Sequence, residues 1–454
     1  MPFKFLLISF LLVLLPVTSQ STLADNHIPA GGTASKFVEL IIMPPELMGD
    51  PLQEISENWV DGYIPMLIEI LSLSGAERAN LLLELLQVKT GQKFGRDINR
   101  WFSWWWQQEQ AQVADYATFK SSLYGLIDER FQLYFSTGRE TRIRLDEVRW
   151  GGVIQDGIPP LRQPRMLTAD EAFYLEDDNI VFGIEINGDA RAYPKRILAW
   201  HEMFVDDIGG INFAGVYCTL CGAVILYKTN HNGTRHDLGT SGFLYRSNKL
   251  MYDKATQSLW NTTWGEPVIG PLVDQDIRLE RSYLVTTTWG EWKRRHPDSK
   301  VLSLDTGYSR NYDEGVAYRQ YFATDELMFS ISTSDDRLNN KDEILALTFP
   351  QFSEDTMAIS ASFLQNKPIY VNRLGSVEFV VLTDTSGANR VYEAKNHSFT
   401  SYDQDVTLID SKGMKWSLSE DELKSGDLVL ARLPAHRAFW FGWHSAFPDT
   451  TLVR

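Results

Sequence analysis

The chain has 454 residues, 44% hydrophobic, 12% aromatic and 22% charged, which is the make-up of a globular protein of two or three domains and excludes a mostly disordered one. Its 43 Lys and Arg against 59 Asp and Glu give a formal charge of -16, which excludes general nucleic-acid binding, because phosphate contacts need clustered cations. With 2 cysteines there is no disulfide framework, so the fold rests on buried apolar surface.

The first residues, MPFKFLLISFLLVLLPVTSQ, place the basic Lys4 before an apolar run from Phe5 to Val17, followed by small residues. This order predicts a secretory signal peptide over residues 1–24, cut after about residue 19 or 24, and a periplasmic or secreted protein. The apolar run is shorter than the roughly 20 residues a spanning helix needs, which sets this reading against an uncleaved anchor. No later segment is apolar enough to cross a membrane.

Residues 36–140 read as a helical domain. Asp50-Pro51 opens a helix with Leu52, Ile55, Trp59 and Val60 on one face, and Pro65 opens another with Met66, Leu67, Ile70 and Leu71. Ser74 and Glu77 form a predicted capping box ahead of Leu81, Leu82, Leu85 and Leu86, and Gly91 ends that helix. Asp97 caps a helix carrying Trp101, Trp104, Trp105 and Trp106, and a further helix carries Leu123, Ile127 and Phe131. The tryptophans are expected in the core, the alternative being a stacking face for a glycan or a partner protein.

From Asp146 onward the pattern turns to short strands and tight turns. Ile180 to Ile186 alternates with period two, and Asn187-Gly188 predicts a hairpin with a returning strand at Ala190 to Tyr193. Helices are expected at Lys195 to Phe204 and Thr287 to Arg295. Strands are expected at Ile211 to Tyr217 and Ala223 to Tyr227. Near the C-terminus, Phe379 to Thr383 pairs with Arg390 to Tyr392, and Thr407 to Ile409 with Met414 to Trp416. The fold class is therefore α+β: a small helical N-terminal domain, then a mostly antiparallel β-rich domain over 146–454, with a C-terminal β subdomain from about 370. No strand–GxGxxG–helix unit or P-loop is present, so no nucleotide cofactor is expected.

Both cysteines sit in Tyr217-Cys218-Thr219-Leu220-Cys221-Gly222, between two strand-like runs. A thioredoxin-type motif leads into a helix, whose N-terminus lowers the thiol pKa; here a strand follows. The turn is read as a metal knuckle for zinc or copper, with Cys218, Cys221 and His201 as ligands, Met251 as a soft fourth ligand for copper, and Glu202 as the partner or acid–base group beside His201. A redox dithiol, a short structural disulfide and a pair of inert buried thiols are the alternatives. Ser241-Gly242 lacks a GxSxG elbow, which argues against hydrolase chemistry. Asp253 and Thr256 read as a capped turn, and Arg191 as half of an ion pair.

The segments FGIEINGDARAYP, AWHEMF, YCTLCGAV and GTSGFLYRSNKLMYDKATQSLW between Val181 and Trp260, with GPLV, TTTWGEWKRRHPDSKVL and FWFGWHSAFPDTTL later, resemble the bacterial domain-of-unknown-function family number 3179. The resemblance covers residues 146–454 and places His201, Cys218, Cys221, Gly222, Ser241, Asn248, Met251, Asp253, Ser258 and Trp260 on motif positions; His444 departs from the pattern. It implies an exported protein and no particular activity. In the helical region, TGQKFGRDINRWFSWWW resembles one unit of bacterial HEAT-repeat proteins. The expected function is a metal-binding or thiol-redox oxidoreductase centred on Cys218 and Cys221. The alternative is a non-enzymatic module that binds a small molecule, a glycan or a protein and uses the cysteines as a structural disulfide.

Overall fold

The computed structural model describes residues 32–108 and 114–454; the expected signal peptide at 1–24 lies outside them. The architecture is α+β, helices first and mostly antiparallel sheets after them. Among the described residues no helix is long and apolar enough to cross a membrane.

Helices run over Thr33–Ile42, Gly49–Glu57, Ile64–Ser72, Ala76–Thr90, Ile98–Trp105, Tyr116–Gly125 and Phe131–Tyr134. Pro51 and Pro65 occupy first turns, where a missing N–H leaves no bond unmade. Gly91 ends its helix in the left-handed region at φ 71°, and Asp97 caps the next by accepting from Arg100 N–H at 3.0 Å. Three local readings are corrected. Asp50 lies inside the first turn of its helix, and Met48 is the N-cap. Ser74 donates its hydroxyl back to Ile70 O at 2.7 Å, so the box with Glu77 does not form and Gly75 is the N-cap. The helix through Leu123, Ile127 and Phe131 is two helices, broken where Asp128 accepts from the backbone and side chain of Arg130.

The β body stacks in layers. A first sheet has the order Val148–Trp150, Leu238–Tyr245, Asn248–Asp253, Leu259–Asn261, Glu266–Ile269. A second has the order Arg281–Ser282, Ala223–Lys228, Ile211–Cys218, Met203–Ile208, Leu161–Arg162, and a third has Val285–Thr288, Ile180–Ile186, Asp189–Pro194, Lys300–Leu302, Met166–Thr168. The helices and the outer face of the first sheet share one core, in which Trp101, Trp105 and Phe119 meet Phe243, Leu250 and Tyr252. The inner face of the first sheet meets the second through Met251 and Trp260 against Met203, Val216 and Ile225. The other face of the second sheet meets the third through Phe204, Phe213 and Tyr217 against Phe182, Ile184 and Tyr193. Successive residues of a strand face opposite sides, so the strand Ile211–Cys218 serves both interfaces.

The predicted Asn187-Gly188 hairpin is present, with φ 52° and 80° at its two central residues. Farther on, residues 369–431 form two antiparallel sheets with a core of Val380, Tyr392, Leu408 and Trp416. The chain then returns to pair Ala435–Phe439 with Glu343–Thr348, and ends in the helix Trp440–Ala446 and the strand Thr451–Val453.

One ion pair lies inside the helix–sheet core. Lys120 Nζ contacts Glu69 Oε1 at 2.8 Å, with both side chains all but fully buried, and also donates to Val148 O at 2.8 Å. Burial lowers the Lys120 pKa, and Glu69 opposes that shift. Lys120→Met leaves a buried carboxylate without its cation and is expected to cost about 3–5 kcal/mol in urea unfolding, with the Lys120→Met/Glu69→Leu double variant recovering most of the loss. A loss below 1 kcal/mol in the single variant contradicts this ledger.

Candidate functional site

The turn grows directly out of the second sheet. Cys218 is paired with Ala223 in the last rung of the Ile211–Cys218/Ala223–Lys228 hairpin, and Gly222 at φ 58° lets the chain reverse between them. The sulfurs of Cys218 and Cys221 lie at disulfide distance, with the Cα atoms 5.3 Å apart. Three bonds fix the turn from outside: Phe439 N–H donates to Cys221 O at 2.7 Å, the Tyr321 hydroxyl to Leu220 O at 2.9 Å, and Tyr217 N–H to Glu202 O at 2.8 Å.

The two cysteines are not equivalent. Cys221 is fully buried beneath the helix Trp440–Ala446, where a Cβ on Gly442 would come 2.9 Å from Cys221 Cβ. Its Sγ lies 3.1 Å from Asn248 Oδ1 and 3.5 Å from Ser247 O, so on reduction the thiol has an acceptor in place. Asn248 is held in turn, its Nδ2 donating to Gly442 O and Ser445 Oγ, both at 3.1 Å. Cys218 is 4% exposed and faces the first sheet. There it lines a small cavity of about 60 Å³ with Glu202, Lys249, Thr240, Phe243 and Tyr318.

Lys249 and Glu202 bring the charge into this cavity. Lys249 Nζ contacts Glu202 Oε2 at 3.0 Å with both side chains largely buried. Burial lowers the Lys249 pKa, and the Glu202 carboxylate works against that shift. A cation beside a cysteine favours thiolate, and Glu202 offsets part of that field. Glu202 arrives here because the helix expected over Lys195–Phe204 stops at His201: Glu202 turns left-handed at φ 55°, and the strand Met203–Ile208 begins at once.

Of the residues singled out in the sequence, Cys218, Cys221 and Glu202 come together. His201 and Met251 do not join them. His201 is fully buried, its Nδ1 donating to Pro159 O at 2.9 Å and its Nε2 accepting from the Tyr312 hydroxyl at 2.5 Å. Burial lowers its pKa and keeps the imidazole neutral. The Met251 side chain is buried among Met203, Leu238 and Trp260, between the first two sheets. Among the described residues no group of three or more His, Cys, Asp or Glu side chains is arranged to hold a metal ion, and the expected zinc or copper set is not assembled.

The remaining motif residues hold the scaffold. Ser241 donates to Leu250 O at 2.6 Å, Asp253 caps the turn at Thr256 N–H at 2.8 Å, and Arg191 pairs with Asp189 and Asp206, both at 2.6 Å. Lys249 is the charged member of the cavity that the sequence reading missed. Its signal was a lysine two residues before Met251, on the same face of the strand Asn248–Asp253.

A family model described as a protein of unknown function, DUF3179, matches residues 155–450. The chain belongs to the DUF3179 family. No curated protein and no solved structure matches it. The DUF3179 match runs close to the expected 146–454 and takes in the cysteine turn, the cavity strands and the covering helix, while the N-terminal helices fall outside it.

Gly442 is where the covering helix touches Cys221 most closely. Replacing glycine by alanine in a helix gains up to about 1 kcal/mol in propensity. Overpacking a filled core costs about 1–3 kcal/mol. Gly442→Ala is therefore expected to lower stability overall and to speed reduction of the disulfide by dithiothreitol, read by thermal unfolding and timed alkylation. A variant more stable than the parent with an unchanged reduction rate contradicts the contact's role.

Proposed function

We propose that this DUF3179 member is a thiol–disulfide oxidoreductase acting outside the cytoplasm, with Cys218 as the exchanging sulfur and Cys221 as its buried partner. The observation that carries this reading is the asymmetry of the pair. Cys218 lines a cavity with the Lys249–Glu202 ion pair, while Cys221 is sealed under the C-terminal helix against Asn248. The leader-like pattern of residues 1–20 supports a compartment in which disulfides persist.

The exchange balances as follows. A substrate thiolate attacks Cys218 Sγ, the Cys218–Cys221 bond breaks, and Cys221 leaves with the electron pair and takes a proton, its S–H facing Asn248 Oδ1. A second substrate thiol then attacks the mixed disulfide and releases Cys218. The substrate dithiol is oxidised by two electrons to a disulfide, and the protein's pair is reduced.

Burial of both sulfurs favours a second reading, a structural staple in a binding module. The loop it closes has a sequence separation of 3. By the chain-entropy relation so short a loop gives only about 2 kcal/mol, at the low end of what disulfides contribute. That is small support for a chain of 454 residues.

The two readings separate in a redox titration. The oxidised full chain is equilibrated in graded glutathione buffers, quenched in acid, alkylated and weighed by mass spectrometry. Exchange predicts that Cys218 and Cys221 are alkylated together in one two-electron step while circular dichroism stays native. Thiols that appear only when the protein unfolds would establish the staple instead.

A further inference from the structure

The cysteine turn has a second face. Cys218 looks toward the first sheet, whereas Tyr217, its neighbour along the strand, looks toward the third. Tyr217 and Gly222 line a separate cavity of about 170 Å³, walled on the far side by Thr286, Thr287 and Thr288 and by Lys195 and Arg437.

Three buried polar atoms of this wall have no hydrogen-bond partner among the described residues: Tyr217 Oη, Thr286 Oγ1 and Arg437 Nε. Tyr217 is 0% exposed, so its hydroxyl has been taken out of bulk water without compensation inside the protein. Each of the three can donate, and Arg437 Nε can do nothing else. The other nitrogens of Arg437 are engaged, Nη1 with Glu343 at 3.2 Å and Nη2 with Gly387 O at 2.8 Å, so the guanidinium is fixed with Nε left over. Lys195 adds an ammonium, placed 5.1 Å over the Phe322 ring. Glu343, the carboxylate on the wall, is 55% exposed and stands at the rim with the exposed Gln365. With Arg437 paired to Glu343, the wall offers unmatched donors and one cation without an ion pair among the described residues, that of Lys195, and what completes it is a group rich in acceptors that carries negative charge.

We propose that this cavity binds a small oxyanion, a carboxylate or a tetrahedral phosphate or sulfate group, with Tyr217, Thr286, Arg437 and Lys195 as its donors. The site requires no cysteine chemistry, so it stands or falls separately from the oxidoreductase reading.

The test uses the oxidised full chain and isothermal titration calorimetry with sodium acetate, sodium sulfate and sodium phosphate as separate probes at fixed ionic strength. Saturable binding of at least one probe is expected, acetate identifying a carboxylate site and sulfate or phosphate a tetrahedral one. Tyr217→Phe and Arg437→Lys are each expected to weaken that binding by about tenfold. Tyr217→Phe should leave the melting temperature of the ligand-free protein unchanged or raised, because the hydroxyl it removes has no internal partner. Thr286→Val gives the same readout on a second wall if either variant fails to fold. Absence of saturable binding by all three probes, or an affinity untouched by Tyr217→Phe and Thr286→Val, overturns the proposal.

Discussion

The hydrogen bond from Phe439 N–H to Cys221 O joins the strand Ala435–Phe439 to the hairpin that carries the cysteines. It holds the helix Trp440–Ala446 over the turn, and Gly442 is the residue that lets the helix come down onto Cys221. A larger side chain there would lift the lid from the sulfur. Residues more than 200 positions apart therefore decide together how one cysteine is hidden. The intervening sheets at 369–431 lie outside this contact, and the chain passes through them before returning to close it.

The layering of the sheets explains why so much chemistry gathers at one turn. The second sheet lies between two others, so alternate residues of the strand Ile211–Cys218 enter different environments. Val216 packs toward the first sheet and Tyr217 toward the third, and Cys218 returns to the first, where Lys249 and Glu202 meet. A cavity opens beside each residue, that of Cys218 with a neutralised ion pair and that of Tyr217 with unmatched donors. A one-residue slip in register would exchange the two faces.

Much of this was legible in the sequence, and the parts that were not have identifiable causes. Asn187-Gly188, Gly91 and the strands flanking the cysteines were readable because local backbone chemistry decides them. The expectation that the helix tryptophans are core holds for Trp101, Trp105 and Trp106, while Trp104 is half-buried. The end of the helix at His201 was hidden because Ile197 to Phe204, apolar on both sides of His201-Glu202, suits a buried helix and a buried strand equally. The strand Leu238–Tyr245 was missed because Gly239, Ser241 and Gly242 interrupt its alternation, and its pairing is irregular between Thr240 and Leu244. His201 looked like a ligand because histidine near a cysteine pair suggests one; Pro159 and Tyr312, which occupy its two nitrogens, are 42 and 111 residues away in the chain. Membership in the DUF3179 family confirms the resemblance of the β body and assigns it no chemistry.

The central claim is that Cys218 can be reached by an incoming sulfur while the protein is folded. The most direct measurement is intact mass of the Cys221→Ser variant after exposure to glutathione disulfide under native conditions. The account predicts one glutathionyl group, on Cys218, with native circular dichroism retained. A folded variant that takes up none, and reacts only after denaturation, contradicts it.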